Sequence, residues 1–140
     1  MHPVSTQVAI QKAVLRSAAV LVCAALWFSV SGCGPRRAKA VNVELAKTTL
    51  IKVLDHWKSG GKINDLQDAS PKIVVQELNW TNGKTLQDFA LIGEGWAEDA
   101  NWYCEVELTF APKDGDESAT KKVTYVVGTD PVLTVFRAIL

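Results

Sequence analysis

Beyond position 32, the side chains of this 140-residue chain that could do chemistry are two thiols, one imidazole and four indoles. Acid–base or nucleophilic catalysis needs converging groups of matched acidity, and His56 stands without a nucleophilic partner. Asp55 is its neighbour in sequence, so on a helix it points to a different part of the surface and cannot orient the imidazole. A histidine near a helix C-terminus, where positive charge is favoured, is the plainer reading. With Cys33 part of a separate pattern taken up below, His56 and Cys104 do not make a zinc set. Cys104 alternates with Trp102, Val106 and Leu108, with Glu105 beside it, and reads as a small buried hydrophobe, not a thiolate. The acidic run Asp114-Gly115-Asp116-Glu117 fails as an EF-hand loop, because Ala119 and Tyr125 stand where the template needs glycine and glutamate. A solvated hairpin tip accounts for it better. The triplet Asn79-Trp80-Thr81 fits a glycosylation acceptor and has nothing else behind it. No catalytic set, metal or cofactor is expected.

The indoles are the better lead. Trp57, Trp80, Trp96 and Trp102 supply apolar surface and stacking faces for flat or sugar-like ligands, and are the candidate ligand-pocket residues. Trp57 and Trp102 equally suit a core. Trp96 follows Gly93 and Gly95, and glycines within a strand mark a bulge or bend. A rival, enzymatic reading needs a pocket acid such as Asp88 or Glu94, its pKa raised by burial.

Cys33 belongs to a different pattern. A basic start with Lys12 and Arg16 precedes an apolar stretch from Ala18 to Val30, and the small residues Ser31 and Gly32 follow. That is the layout of a secretory signal, and 13 apolar-region residues fall short of the roughly 20 that cross a bilayer. An uncleaved anchor helix, or a signal cut elsewhere, is the alternative. Val30-Ser31-Gly32-Cys33 resembles the lipobox of bacterial lipoproteins. The resemblance implies that residues 1–32 are removed, that the Cys33 thiol accepts a diacylglyceryl group, and that a further acyl chain such as palmitate joins the new amine. At about 0.8 kcal/mol per buried methylene, two or more chains anchor stably where one does not. The spacer from Gly34 to Ala40 reaches at most about 25 Å. Its Arg36, Arg37 and Lys39 suit anionic headgroups at about 1 kcal/mol each, or act as a solvated tether.

The expected organisation is a signal peptide at 1–32, a lipidated cysteine and basic tether at 33–40, and one domain at 41–140. The whole chain balances 15 Lys and Arg against 15 Asp and Glu, so losing Lys12 and Arg16 leaves a net charge of −2. Nothing there attracts nucleic acid. The 108 residues left after position 32 suit a single core. Cys104 would then be the only free thiol, with no intrachain disulfide possible.

The elements that must position these residues are signposted. Val43, Ala46, Leu50, Val53 or Leu54, and Trp57 recur at steps of three and four, predicting a helix from about Val43 to Ser59. Asn42 can cap it, Glu44 and Lys58 match its dipole, and Gly60-Gly61 ends it. A shorter helix is expected from Ile63 to Ala69, before Pro71. From Lys72 the period changes to two, most plainly where Trp102, Cys104, Val106, Leu108 and Phe110 alternate with Tyr103, Glu105, Glu107 and Thr109. Strands are expected at Ile73 to Trp80, Leu86 to Ala97, Trp102 to Phe110, Lys122 to Val127 and Val132 to Ile139, separated by turn chemistry such as Asn82-Gly83. The fold class is therefore α+β, with the N-terminal helix packed on an antiparallel β-meander of four or five strands. This order, over Val41 to Leu140, is similar to cystatin-like and nuclear transport factor-like folds, and brings no catalytic residues with it. The function expected is a non-catalytic binding or accessory module, lipid-anchored to a bacterial membrane through Cys33 and facing the periplasm or exterior. Its partners would be membrane lipid and an envelope protein or small ligand. The alternatives are a small nuclear transport factor-like envelope enzyme using a pocket carboxylate, and a spacer with no ligand.

Overall fold

Helix α1 (Val43–Lys58) is built as its sequence directs. The Asn42 carboxamide oxygen accepts from the Leu45 amide at 3.0 Å. At the other end Gly60 takes φ +82°, and the amides of Gly60 and Gly61 donate to the Trp57 and His56 carbonyls, both at 2.9 Å. These are the two bonds of a Schellman stop, and the left-handed turn is where glycine is favoured. The helix buries Ala46, Thr49, Leu50, Val53, Leu54 and Trp57, with Thr49 made tolerable by donating its hydroxyl to the Leu45 carbonyl at 2.7 Å. The computed structural model describes residues 39–112 and 118–139. The Val30–Cys33 motif and the acidic run 114–117 lie outside them.

After α1 come α2 (Ile63–Gln67), β1 (Ile73–Gln76), α3 (Leu78–Thr81), β2 (Leu86–Glu98), β3 (Asn101–Phe110), β4 (Ala119–Gly128) and β5 (Leu133–Arg137). The domain is α+β, with one open mixed sheet in the order β1-β5-β4-β3-β2. Strands β2 to β5 form an antiparallel meander. The fifth strand corrects the expectation of an all-antiparallel sheet: β1 pairs parallel with β5, Ile73 opposite Leu133 and Val75 opposite Val135. The direct neighbour in sequence, β2, occupies the far edge, so β1 closes the sheet only at the free side of β5. A parallel pair requires a long connection, and the whole meander supplies it.

A second correction concerns length. The strand expected to reach Trp80 stops at Gln76, because Glu77 turns the chain by capping α3, its carboxylate accepting from the Asn79 amide at 2.8 Å. One face of the sheet and the inner face of α1 make the core. Trp102, Cys104, Val106, Leu108, Val127 and Val135 are all at most 1 % exposed there. Full burial of such aliphatic side chains contributes about 1.5–3 kcal/mol each. The opposite face carries Tyr103, Glu107 and Thr109, half-buried, and the exposed Glu105, so the alternation read in β3 is the alternation observed.

Candidate functional site

The four tryptophans go to three places. Trp102 is core, 1 % exposed. Trp57 and Trp80 come together, ring centroids 5.3 Å apart and 10° from parallel. Their indole N–H groups donate to the Lys84 and Gly61 carbonyls at 2.9 and 3.2 Å. The His56 ring tilts against Trp80 at 6.1 Å, and a Cβ on Gly61 would stand 2.2 Å from that imidazole. The two indoles border a shallow cleft of about 380 Å³ with Lys62, Asn64 and Lys84. Their facing planes and both their donors are already used within the chain, so they act as a clamp fastening the α1–α2 turn to α3. His56 Nε2 lies 3.2 Å from Asp65 Oδ2 and 3.1 Å from the Lys62 carbonyl. Its carboxylate neighbour thus comes from α2, where sequence adjacency to Asp55 offered none. The Lys62 amide, first, and the imidazole hold the Asp65 carboxyl below its ordinary range.

Trp96 is different again. It is 48 % exposed, on the sheet face away from α1, and stacks on Tyr103 at 5.3 Å and 9°. The bulge expected at the flanking glycines is there: register slips between Ile92 and Trp96, with Gly93 and Gly95 at φ +71° and +70°. A side chain on Gly95 would meet the Tyr103 carbonyl oxygen at 2.3 Å, so the bend requires glycine there twice over, for conformation and for space.

Neither expected pocket acid is in a pocket. Asp88 is paired at 2.7 Å with Lys58, its side chain 66 % exposed, and Glu94 meets Lys47 at 3.5 Å with its side chain 92 % exposed. The Lys58 hydrogen bond lowers the Asp88 pKa, opposite to what a neutral general acid needs. Both carboxylates are instead in solvent contact. Cys104 is fully buried, and burial pushes its thiol up, which is the inert setting expected for it. Among the described residues no group of three or more His, Cys, Asp and Glu is placed to hold a metal.

The carboxylate that is buried is one the sequence reading passed over. Glu77, between β1 and α3, is 3 % exposed. One oxygen accepts from the Asn79 amide; the other accepts from the Tyr125 hydroxyl at 2.6 Å. The Arg137 guanidinium stands 3.5 Å away, its side chain 20 % exposed. Burial, and next the Glu77 charge, push the Tyr125 phenol far above its ordinary range. Glu77 and Arg137 line a cleft of about 840 Å³ between α2, β1, α3 and the ends of β4 and β5. Nearby, the Asn79 side-chain nitrogen is buried with no hydrogen-bond partner. A signal for this cluster exists in the sequence. Glu77 continues the inward parity of Ile73 and Val75, Tyr125 that of Val123 and Val127, and Arg137 that of Leu133 and Val135. Three polar groups of complementary chemistry at inward positions of adjacent strands mark a buried network. No protein-family model, curated protein or solved structure matches this chain.

Proposed function

We propose that the chain is a bacterial lipoprotein, tethered through Cys33 to an envelope membrane, whose 41–140 domain is a non-catalytic binding or accessory module. The observation that carries the tether is the lipobox-like Val30-Ser31-Gly32-Cys33 behind a short apolar stretch. Among the described residues no helix is long and apolar enough to cross a membrane. A helix ahead of a sheet, in the manner of cystatin-like and nuclear transport factor-like folds, supports a binding role, as does an open cleft lined by Glu77, Asn79 and Arg137. Mass spectrometry of the full chain expressed in a bacterium tests it. A product beginning at Cys33, heavier by a diacylglyceryl group and found with membranes, is expected, and Cys33→Ser should remove the added mass and release the chain. An unmodified wild type in the soluble fraction would refute the reading.

One observation favours a second reading, a small nuclear transport factor-like envelope enzyme using a pocket carboxylate: Glu77 is buried beside a tyrosine and an arginine at a cleft. Against it, both Glu77 oxygens already accept hydrogen bonds. Turnover of an ester or glycoside panel by the wild type and not by Glu77→Gln would favour the enzyme; equal silence from both leaves the binding module.

A further inference from the structure

We propose that the cleft at the end of β5 binds a small carboxylate with an apolar body, its head group held by Arg137 and Asn79, an assignment that rests on reading the domain as a binding module. Strand β5 ends at Arg137, opposite Tyr125, whereas β4 runs back to Ala119. Beyond Ala138, whose amide still reaches the Thr124 carbonyl, the β4 edge has no described strand beside it. α2, the end of β1 and α3 surround that gap and leave about 840 Å³, inside the roughly 300–1,000 Å³ of small-molecule sites.

Among the described residues, the buried side-chain atom left unpaired at this cleft is a donor. The Asn79 nitrogen is a buried donor with no acceptor, and Asn79 is 7 % exposed. Arg137 has several N–H donors, and its one described polar partner is Glu77 Oε1 at 3.5 Å. Both Glu77 oxygens are taken, by the Asn79 amide and the Tyr125 hydroxyl, so the carboxylate is not seeking another donor. Unpaired donors select an acceptor, since a buried donor left alone is costly. Charge selects an anion: among the described residues, Arg137 and Lys121 border the cleft against the carboxylate of Glu77. The planar guanidinium fork fits a carboxylate. One surplus positive charge suits a monoanion better than a phosphate monoester, which carries about −1.5 to −2 and would lie near Glu77. The body of the ligand follows from the walls. Val75 and Leu78 line the same cleft, and Leu78 is 62 % exposed, an apolar surface that a short alkyl or aryl group would cover.

Hexanoate is the probe, titrated against the full chain held in phospholipid nanodiscs and read by saturation-transfer NMR, with empty nanodiscs as control. A Kd on the order of a millimolar is expected for so small a ligand. Acetate, which lacks the body, and 1-hexanol, which lacks the charge, should each bind at least about tenfold more weakly, the loss expected when a charge-assisted contact or its apolar complement is missing. Arg137→Gln should weaken hexanoate by about tenfold or more and leave 1-hexanol unchanged. Should that variant unfold, Lys121→Gln lies on an exposed strand position outside the Glu77 network and should still weaken hexanoate by roughly twofold to threefold. Hexanoate indistinguishable from the empty-disc control, an alcohol that matches it, or hexyl phosphate binding more tightly would overturn the assignment. The outcomes separate from those for the tether. A chain that carries lipid and ignores hexanoate defeats this inference alone, and one that binds hexanoate without lipid defeats the anchor alone.

Discussion

Tyr125→Phe removes one oxygen atom from the centre of the domain, and its effect can be worked out with sign and size. The phenol donates to Glu77 at 2.6 Å and the residue is 1 % exposed, so the variant leaves a buried carboxylate oxygen without its donor. Hydrogen bonds to charged groups contribute about 1.5–3 kcal/mol, and about 2 kcal/mol corresponds to roughly 10 °C in Tm for a domain near 100 residues. The pH dependence is the sharper test. In the folded chain the phenol pKa is raised, while in the unfolded chain it titrates near 10. Below about pH 10 both states keep the proton and the full advantage of the wild type is present. Above it the unfolded wild type loses a proton that the folded one retains, so its stability falls by about 1.4 kcal/mol per pH unit relative to the phenylalanine variant. An advantage of about 2 kcal/mol should therefore vanish near pH 11.5. Urea unfolding of both proteins at a series of pH values checks this, lysine titration being common to the two. A cycle with Glu77→Gln should add a coupling of about 1 kcal/mol or more. A gap below about 0.5 kcal/mol at neutral pH, or one that stays constant through pH 11.5, would refute the buried hydrogen bond and the burial that raises the phenol.

Other substitutions test the frame around the site. Gly95→Ala should cost about 2–4 kcal/mol in urea unfolding and Gly93→Ala only about 1 kcal/mol, because both have positive φ but only Gly95 lacks room for a Cβ. Trp102→Ala should cost about 3–5 kcal/mol, whereas Trp96→Ala, which loses one exposed stack on Tyr103, should cost about 1 kcal/mol; similar Tm losses for the two would contradict their placement. Asp65 has its folded pKa depressed, so what it contributes is present above the unfolded value near 3.9 and disappears as pH falls through the folded one. Asp65→Asn should accordingly flatten the drop in Tm below about pH 4, and an unchanged acid limb would argue against the contact with Lys62 and His56.

The parts of the fold legible in the sequence are those set by local rules. Asn42 and Gly60-Gly61 bound α1 because caps are made within a few residues of where they are needed, and the alternation in β3 is visible because its two faces meet media as different as core and water. The pairing of β1 with β5 joins Ile73 to Leu133, and no short-range pattern fixes which distant edge a strand will meet. The overlong reading of β1 has a local cause. Glu77-Leu78-Asn79-Trp80 continues the period of two, and the same Glu77 that fits the alternation also fits an N-cap. Capping prevailed: the Asn79 amide gains an acceptor in the Glu77 carboxylate.

The same ambiguity hides the buried carboxylate of Glu77 in the sequence. Asp88 and Glu94 qualify as pocket acids only if a pocket buries them, whereas Glu77 is placed by parity. A glutamate at an inward position costs too much to bury unless other elements bring it partners. Those partners, Tyr125 and Arg137, sit 48 and 60 positions on, each equally inward on its own strand. Any one of the three, taken singly, reads as a flaw in an apolar pattern. Together they satisfy one another, and the arginine, whose polar contact among the described residues is the long one to Glu77, stands at the rim of the cleft. Beside the orphaned Asn79 nitrogen, that guanidinium is what makes the cleft, as proposed above, a place for an acceptor from outside the chain.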